Sequence, residues 1–320
     1  MRGCGAGRMR RGRWRRTAPA AVALATCLAG AVPAGAAFAQ DLEPRAYSAA
    51  PVGANFLGAL YLHQTGGVGL DPDLPVTNPD VTVESPAIFY SRTVDLLGRQ
   101  ASVGFLLPYA WADAKADIAD QQRAARRSGP GDPRFRLATN LLGGPALSLD
   151  EFRNRTPSTF LGTSLTIVAP FGQYYDRNLV NIGSNRWAFK PELGLSQPLG
   201  PWSVEASVGG WFYTANDHFL GDMRREQDPI LTTQGHIVYT FAPNLWLSAD
   251  ATYYTGGRTT VAGIRNDDRQ EATRIGLSMS LPIGAGFSLK LAWSETVAAR
   301  LPGSGFTNFI AGLQFTFFDK

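Results

Sequence analysis

Ten charged or aromatic side chains lie at alternate positions of the more regular segments, where they could contact a solute or one another. If these segments are strands that close into a barrel, charges on its inside would set its electrostatic selectivity. In a narrow interior, charges of both signs can instead neutralise one another, as Lys190, Glu192 and Glu205 could within one hairpin. Trp211 shares the parity of Glu205, and among the aromatic residues it is the best placed to narrow a passage. The ten candidates are Arg134, Arg136, Lys190, Glu192, Glu205, Trp211, His236, Asp250, Arg274 and Lys290.

Nucleophilic catalysis is not indicated. A phospholipase needs a serine nucleophile, a histidine base and a group that orients the base. The chain has three histidines, His63, His218 and His236, and none adjoins a G-x-S-x-G motif. We therefore predict that the protein is not an enzyme and has no catalytic residues. His236 is interpreted as a packing residue on the polar side of its segment.

Acidic residues concentrate in two segments of the second half, around 222–228 and 267–268. Their carboxylates could bind a hard cation through oxygen ligands, although the spacing of an EF-hand is absent. They could equally be solvated, or paired with Arg225 and Arg258. Both cysteines, Cys4 and Cys27, lie in the first 39 residues, so a mature chain would contain no thiolate ligand. We predict no metal site and no cofactor.

Apolar and polar residues alternate with a period of two in these segments, and this alternation determines which way the candidate side chains point. In WSVEASVGGWFY at 202–213, apolar residues such as Trp202, Val204 and Val208 fall on one parity, opposite Glu205 and Ser207. This period is that of a β-strand with one apolar and one polar face. Most of the predicted strands have 11 to 14 residues, which is enough to cross a bilayer at a tilt. They are 54–64, 81–95, 100–112, 132–143, 158–169, 186–198, 201–214, 229–242, 244–256, 270–282, 286–296 and 306–318. Arg92 shares a parity with Ile88 and Tyr90, which predicts a bulge or a shifted boundary in the second strand.

Long and short connections alternate between these strands. Four connections have only a few residues, whereas 65–80, 113–131, 170–185, 215–228, 257–269 and 297–305 are predicted outer loops. This alternation is typical of outer-membrane barrels, and an even number of strands places both termini at the end with the short turns. The long connection at 144–157 is an exception. It contains the capping-box pattern Ser148–Glu151, which predicts a short helix around 147–154.

Aromatic residues cluster near the predicted strand ends. Trp202 and Trp246 follow short turns, whereas Trp111, Trp187, Tyr253 and Trp293 lie toward the opposite ends. Two such belts are typical of a protein that crosses a membrane, because tryptophan and tyrosine favour its interfaces.

The N-terminus predicts export. Seven arginines without an acidic residue precede an apolar stretch and the sequence Ala37-Phe38-Ala39, the pattern of a cleaved secretory signal peptide over 1–39. The whole chain has a formal net charge of +4, but without these arginines it has 23 basic and 26 acidic residues and a net charge of −3. The basic balance therefore belongs to the signal peptide, and binding to nucleic acid is not predicted.

Several motifs resemble a known family. They are DLEPRAYS at 41–48, LPYAW at 107–111, NLLGGPAL at 140–147, NRWAFKPELG at 185–194, REQDPI at 225–230 and ATYYTGGRTT at 251–260. They resemble the transporter family of the MetA-pathway of phenol degradation, which comprises outer-membrane barrels of Gram-negative bacteria. The resemblance implies contact with outer-membrane lipid, insertion by the barrel-assembly machinery and passage of small-molecule solutes. The near-terminal Phe318 fits the signal that this machinery reads, although Asp319 and Lys320 follow it.

We therefore expect an all-β protein: a signal peptide over 1–39, then one domain over 40–320 that forms a twelve-stranded, antiparallel, up-and-down transmembrane β-barrel. The expected function is passive passage of small compounds, including aromatic or hydrophobic ones, across the Gram-negative outer membrane. The alternative is a barrel that transports nothing and has a structural or partner-binding role through its outer loops.

Overall fold

The strands form where the sequence alternates. The computed structural model describes residues 43–67, 76–118, 121–301 and 303–319, so the predicted signal peptide lies outside the described residues. In chain order the strands of these residues are β1 Ala54–Gly67, β2 Val76–Leu96, β3 Arg99–Ile118, β4 Gln121–Pro130, β5 Arg134–Leu142, β6 Phe160–Val168, β7 Ala188–Leu199, β8 Trp202–Tyr213, β9 Asn216–Phe219, β10 Met223–Gln227, β11 Ile230–Ala242, β12 Leu245–Gly256, β13 Thr259–Val261, β14 Ile264–Arg265, β15 Gln270–Gly284, β16 Phe287–Ala299 and β17 Gly305–Phe318.

Twelve of these strands close into a barrel. Neighbours pair in the cyclic order β1, β2, β3, β5, β6, β7, β8, β11, β12, β15, β16, β17. The last strand returns to the first along the whole length of β1, from Ala54 opposite Phe318 to Gly67 opposite Gly305. Every pairing is antiparallel, so the predicted twelve-stranded up-and-down barrel is confirmed. Because no edge strand remains in this ring, the backbone groups of its wall can pair with one another.

The apolar face of each strand points outward. On β12, Leu247, Ala249 and Tyr253 are exposed, whereas Ser248 and Asp250 are buried. A water-soluble barrel would bury its apolar face instead. A wall with an apolar exterior and a polar interior is the arrangement of a barrel that sits in lipid.

The two ends of the barrel differ. At the short-turn end, two-residue turns join β2 to β3, β7 to β8, β11 to β12 and β15 to β16. Gly98 and Gly286 have φ values of +78° and +81° in two of them, as such tight hairpin turns require. Both ends of the barrel sequence lie here too, where Asp319 N donates to Gly53 O. We call the opposite end the long-loop end.

The predicted outer loops are in part strands, which corrects the sequence prediction. Residues 113–131 are largely the end of β3 and all of β4, which pair from Tyr109–Pro130 to Ile118–Gln121. The predicted loops 215–228 and 257–269 contribute β9, β10, β13 and β14, which form a separate four-stranded sheet that we call the outer sheet. Both faces of these strands carry polar residues, so the alternation that marks the barrel strands is missing.

The predicted helix in the exceptional connection is confirmed as α1, Leu149–Arg153. Its capping box is complete, because Glu151 N donates to Ser148 Oγ while Ser148 N donates to Glu151 Oε2. Among the described residues, no helix has the length and apolar character to span a membrane.

Of the two outcomes predicted for the second strand, a bulge at Arg92 is wrong, whereas its boundary does shift, because β2 begins at Val76 and not at residue 81. β1 and β2 pair without a register shift from Gly66–Val81 to Asn55–Arg92. Arg92 lies on the outer face at the short-turn end, where it forms an ion pair with Asp319. Asn55 Nδ2 also donates to Asp319 Oδ1, at 3.0 Å. The charge is therefore accommodated by the residues at the β1–β17 seam and not by a bulge.

The aromatic belts are confirmed in part, because two of the six predicted residues do not lie in them. Trp293 is at the middle of β16, directly opposite Leu277 of β15. Trp202 and Trp111 are exposed on the outside near opposite ends of the barrel. Trp246 is buried on the lumen side of β12, so it does not belong to a lipid-facing belt. Leu245 and Leu247 point outward, so Trp246 between them must point inward. The prediction considered only that Trp246 follows a short turn and not its parity along the strand.

Candidate solute pathway

The lumen carries the candidate residues that parity assigned to it. Lys190, Glu192, Glu205, Trp211, His236, Asp250 and Arg274 are buried on the inner face of the wall. Arg134 and Arg136 on β5 are partly exposed. Lys290 is exposed although it faces the lumen side of β16. The interior therefore combines a packed polar region with accessible space beside β16.

One network joins three of the predicted charges. Lys190 Nζ lies 2.7 Å from Glu192 Oε2, and Arg136 Nη2 lies 3.9 Å from Glu192 Oε1. Tyr47 Oη donates to Glu192 Oε1 at 2.9 Å and is 3.0 Å from Ser164 Oγ. The predicted pairing of Lys190 with Glu192 is confirmed. Tyr47, from outside the barrel strands, completes the network.

Glu205 belongs to a different contact. One of its carboxylate oxygens accepts from Ser196 Oγ at 3.0 Å and the other from Arg45 N at 2.6 Å. The Arg45 side chain donates to Thr240 Oγ1, and its guanidinium lies 5.8 Å from the centre of the Trp246 ring. The predicted hairpin network of Lys190, Glu192 and Glu205 is therefore two networks, bridged by residues 45–47.

Residues 43–53, which we call the N-terminal segment, run inside the barrel. The segment enters at the short-turn end, where Val52 N donates to Leu147 O. Farther along, Ala50 N donates to Gln100 Oε1. At its far end, Glu43 N donates to Gln234 Oε1 at 3.2 Å, and Arg136 pairs with the Glu43 carboxylate at 3.6 Å. The segment therefore crosses the lumen and narrows it.

Two glycines of the wall make room for this segment. A Cβ on Gly194 would lie 2.1 Å from Tyr47 Cε2, and one on Gly162 would lie 2.3 Å from Tyr47 Cδ1. Both distances are far below van der Waals contact. The Tyr47 ring thus occupies a niche that exists only because β6 and β7 have no side chain at these lumen positions.

His236 is engaged by a carboxylate. His236 Nδ1 lies 2.8 Å from Asp250 Oδ1, and Ser278 Oγ donates to Asp250 Oδ2 at 2.6 Å. Asp250 therefore stands between the other two side chains. In a hydrolytic triad the serine must instead give its proton to the imidazole. The arrangement supports the interpretation of His236 as a packed lumen residue.

Two cations flank a pair of aromatic rings along the lumen wall toward the long-loop end. Lys190 Nζ lies 5.9 Å from the Trp211 ring centre, and Trp211 stacks with Tyr213 at 6.5 Å and 13°. The guanidinium of Arg186 lies 4.3 Å from the Tyr213 ring centre. We call Trp211 and these three neighbours the cation–aromatic stack. Arg186 and Tyr213 were not predicted as candidates, because they lie at the ends of the predicted strands 186–198 and 201–214.

The acidic residues of the outer segments pair largely with arginines. Arg258 contacts Asp267 at 2.8 Å, and Arg265 contacts Asp228 at 2.5 Å. The proposed pairing of Arg258 with these acids is confirmed. Among the described residues there is no group of three or more potential ligands that could hold a metal ion.

Similarity to known proteins agrees with the architecture. A family model described as "Putative MetA-pathway of phenol degradation" matches residues 67–309. The chain is similar to the COG4313 outer membrane channel from Pseudomonas putida F1, with 22% identity and a TM-score of 0.73 over 87% of this chain and 100% of that one. It is also similar to the transport unit of the autotransporter AIDA-I from Escherichia coli, with 12% identity and a TM-score of 0.52 over 92% and 97% of the two chains. No curated protein matches it. These structures share the fold of a transmembrane β-barrel.

Proposed function

The chain belongs to the family of the MetA-pathway of phenol degradation, and from this premise we propose that it is a passive outer-membrane channel for small solutes, including aromatic or hydrophobic compounds. The observation that carries the proposal is the way the lumen is filled. Residues 43–53 occupy it through side-chain and backbone hydrogen bonds and form no strand of the wall. A segment held in this way can leave without opening the barrel.

The same contacts suggest how the N-terminal segment would open and close the pathway. When the N-terminal segment is bound, Tyr47 and Arg45 occupy the lumen beside Glu192 and Glu205. When it leaves, these carboxylates and Lys190, Arg136 and Trp246 line the passage. Charged side chains at such a constriction select among solutes by sign. We infer that release of the segment is the step that widens the pathway.

The placement in the envelope is part of the proposal. Cleavage after Ala39 would leave the N-terminal segment at the periplasmic side, together with the short turns. The long-loop end would then face the outside of the cell. The apolar outer face contacts the lipid, and β17 with Phe317 and Phe318 is the element that the barrel-assembly machinery would recognise.

Liposome swelling tests this function. Vesicles that contain the folded mature protein should swell in isotonic arabinose and in sodium benzenesulfonate, a charged aromatic solute that lipid excludes. Vesicles with the same protein after heat denaturation are the control. If folded barrels are present and both solutes stay outside, the channel function is wrong.

A partner-binding role is the second candidate, and the outer sheet favours it. Arg224 contacts Asp217 at 2.8 Å and Glu226 at 2.9 Å, and these residues are exposed on one face of β9 and β10. An ordered surface at the long-loop end could bind a ligand without any transport. The swelling assay is repeated with a variant that lacks residues 40–50. If both proteins are folded and neither lets solutes into the vesicles, the partner-binding role is favoured.

A further inference from the structure

Arg186 is a buried cation at the mouth of the lumen. Its side chain is only 5% exposed and lies at the long-loop end, just before β7. Its guanidinium stacks on Tyr213 at 4.3 Å, and Nη2 donates to Gln227 Oε1 at 2.5 Å. Nη1 is buried and has no hydrogen-bond partner within the part of the chain that the structure describes. A buried charged donor without a partner is costly, so this atom requires an explanation.

Arg225 lies opposite, on the inner face of the outer sheet. It is 9% exposed, its guanidinium lies 5.3 Å from the Phe219 ring centre, and Nε is buried without a partner among the described residues. Two residues along the same strand, Gln227 contacts Arg186. The inner face of β10 therefore joins the two arginines across the mouth.

The nearby carboxylates are already engaged. Asp132, which faces Arg186, accepts hydrogen bonds from Gly172 N, Ser184 N and Ser184 Oγ. Asp268, which faces Arg225, accepts from Thr259 N and Thr259 Oγ1. Neither arginine forms an ion pair with a carboxylate anywhere in the described ranges. Within the described residues, each guanidinium at the mouth therefore has a carboxylate nearby but no direct carboxylate partner.

The lowered pKa values of the two arginines also favour the binding of an anion. Burial, reinforced by the neighbouring positive charge of Arg225, lowers the pKa of Arg186 to about 9. Burial also lowers the pKa of Arg225, although Asp268 opposes the change. In both cases the surroundings disfavour the charged form. An anion that bound between the two side chains would relieve this penalty.

We propose that Arg186 and Arg225 form the entry site of the channel and bind the carboxylate of an aromatic acid. The planar guanidinium matches a carboxylate with two parallel hydrogen bonds. The rings of Tyr213 and Phe219 lie beside the two cations, so the arene of a bound acid would meet apolar side chains next to the guanidiniums. Trp211 and Lys190 continue the cation–aromatic stack inward. The inference rests on the proposed function, because the site would screen solutes that enter the lumen.

Equilibrium binding tests the site without requiring transport. Folded mature protein in detergent is titrated with sodium benzoate and with benzyl alcohol, its neutral analogue, by calorimetry. Benzoate should bind and benzyl alcohol should bind at least about tenfold more weakly, since a hydrogen bond to a charged group is worth about 1.5–3 kcal/mol. Equal binding of the two ligands, or no binding of benzoate to folded protein, would overturn the proposal.

Three variants locate the ligand. Arg186→Gln and Arg225→Gln should each weaken benzoate binding about tenfold or more. Arg224→Gln is the matched control, because Arg224 is the exposed neighbour of Arg225 and already pairs with Asp217 and Glu226. An equal loss in all three variants would indicate general charge attraction and overturn the site. Gel mobility before and after boiling shows whether each barrel is folded. If a variant does not fold, the comparison of benzoate with benzyl alcohol on the unaltered protein still tests the proposal.

The outcomes also separate the site from the channel. Benzoate binding that depends on Arg186 and Arg225, in a protein that passes no solute into vesicles, would support the site and contradict the channel. Conversely, the protein could pass solutes into vesicles and yet bind benzoate no better than benzyl alcohol. That result would support the channel and contradict the site.

Discussion

At the scale of single residues, the lumen charges are held by specific partners. Lys190 and Glu192 pair with each other, and Asp250 binds both His236 and Ser278. Parity along the strands sufficed to predict that these residues face inward. Their partners on the N-terminal segment could not be predicted, because residues 43–53 have no period and Glu43 contacts Gln234, 191 positions away.

Replacement of Asp250 should therefore affect stability. Asp250→Ala leaves His236 buried without its acceptor and should lower the free energy of unfolding by about 1–3 kcal/mol. Chemical denaturation in lipid vesicles measures this change. Because Asp250 is engaged within the wall, single-channel conductance should stay close to that of the unaltered protein. A large change in conductance at unchanged stability would instead assign Asp250 to the solute pathway.

The Tyr47 niche gives a sharper residue-scale test. Gly194→Ala places a methyl group where the Tyr47 ring lies and should dislodge the N-terminal segment. The loss of the Tyr47 hydrogen bonds, worth about 1–3 kcal/mol, should raise the open fraction about tenfold in single-channel recordings.

The control is Gly235→Ala, the same substitution on the outer face of β11. A Cβ there meets only Glu205 O, at 4.0 Å. Its open fraction should stay unchanged. If Gly194→Ala and Gly235→Ala behave alike, the niche does not hold the segment.

At the scale of elements, the barrel strands could be predicted and the outer strands could not. A barrel strand separates lipid from lumen, so its sequence must alternate, as β12 and β15 do. β9, β10, β13 and β14 contact one another at the mouth with polar groups on both faces. The two hairpins β9–β10 and β13–β14 are joined by the long-range pairing of β10 with β13, which local patterns do not encode. Arg186 and Arg225 belong to this region, and for that reason the sequence did not single out their juxtaposition.

The lipid-facing side of β15 allows a test of element orientation. Leu277 is 50% exposed on the outer face. Leu277→Arg should destabilise the inserted barrel by about 2–4 kcal/mol if this residue lies near the bilayer midplane. Leu277→Phe changes size but not polarity and should cost much less. Unfolding in vesicles compares the two variants, and similar costs for both would contradict the outward orientation.

At the scale of the whole molecule, closure along β1 and β17 makes a wall that encloses a polar lumen, and the N-terminal segment crosses it. The fold, the even number of strands and the position of the termini followed from strand length and loop alternation. Occupation of the lumen by the chain's own segment emerged only from the three-dimensional contacts. The channel proposal depends on this last feature, because a removable segment distinguishes a gated pathway from a permanently filled barrel.

Planar-bilayer recording tests this claim most directly, with the mature protein compared to a variant that lacks residues 40–50. The barrel strands begin at Ala54, so this deletion leaves the wall intact. Both proteins should give discrete openings, with brief or small openings in the full mature chain and larger, sustained conductance in the deletion variant. Two folded barrels that are equally silent, or that conduct identically, would contradict a solute pathway controlled by the N-terminal segment.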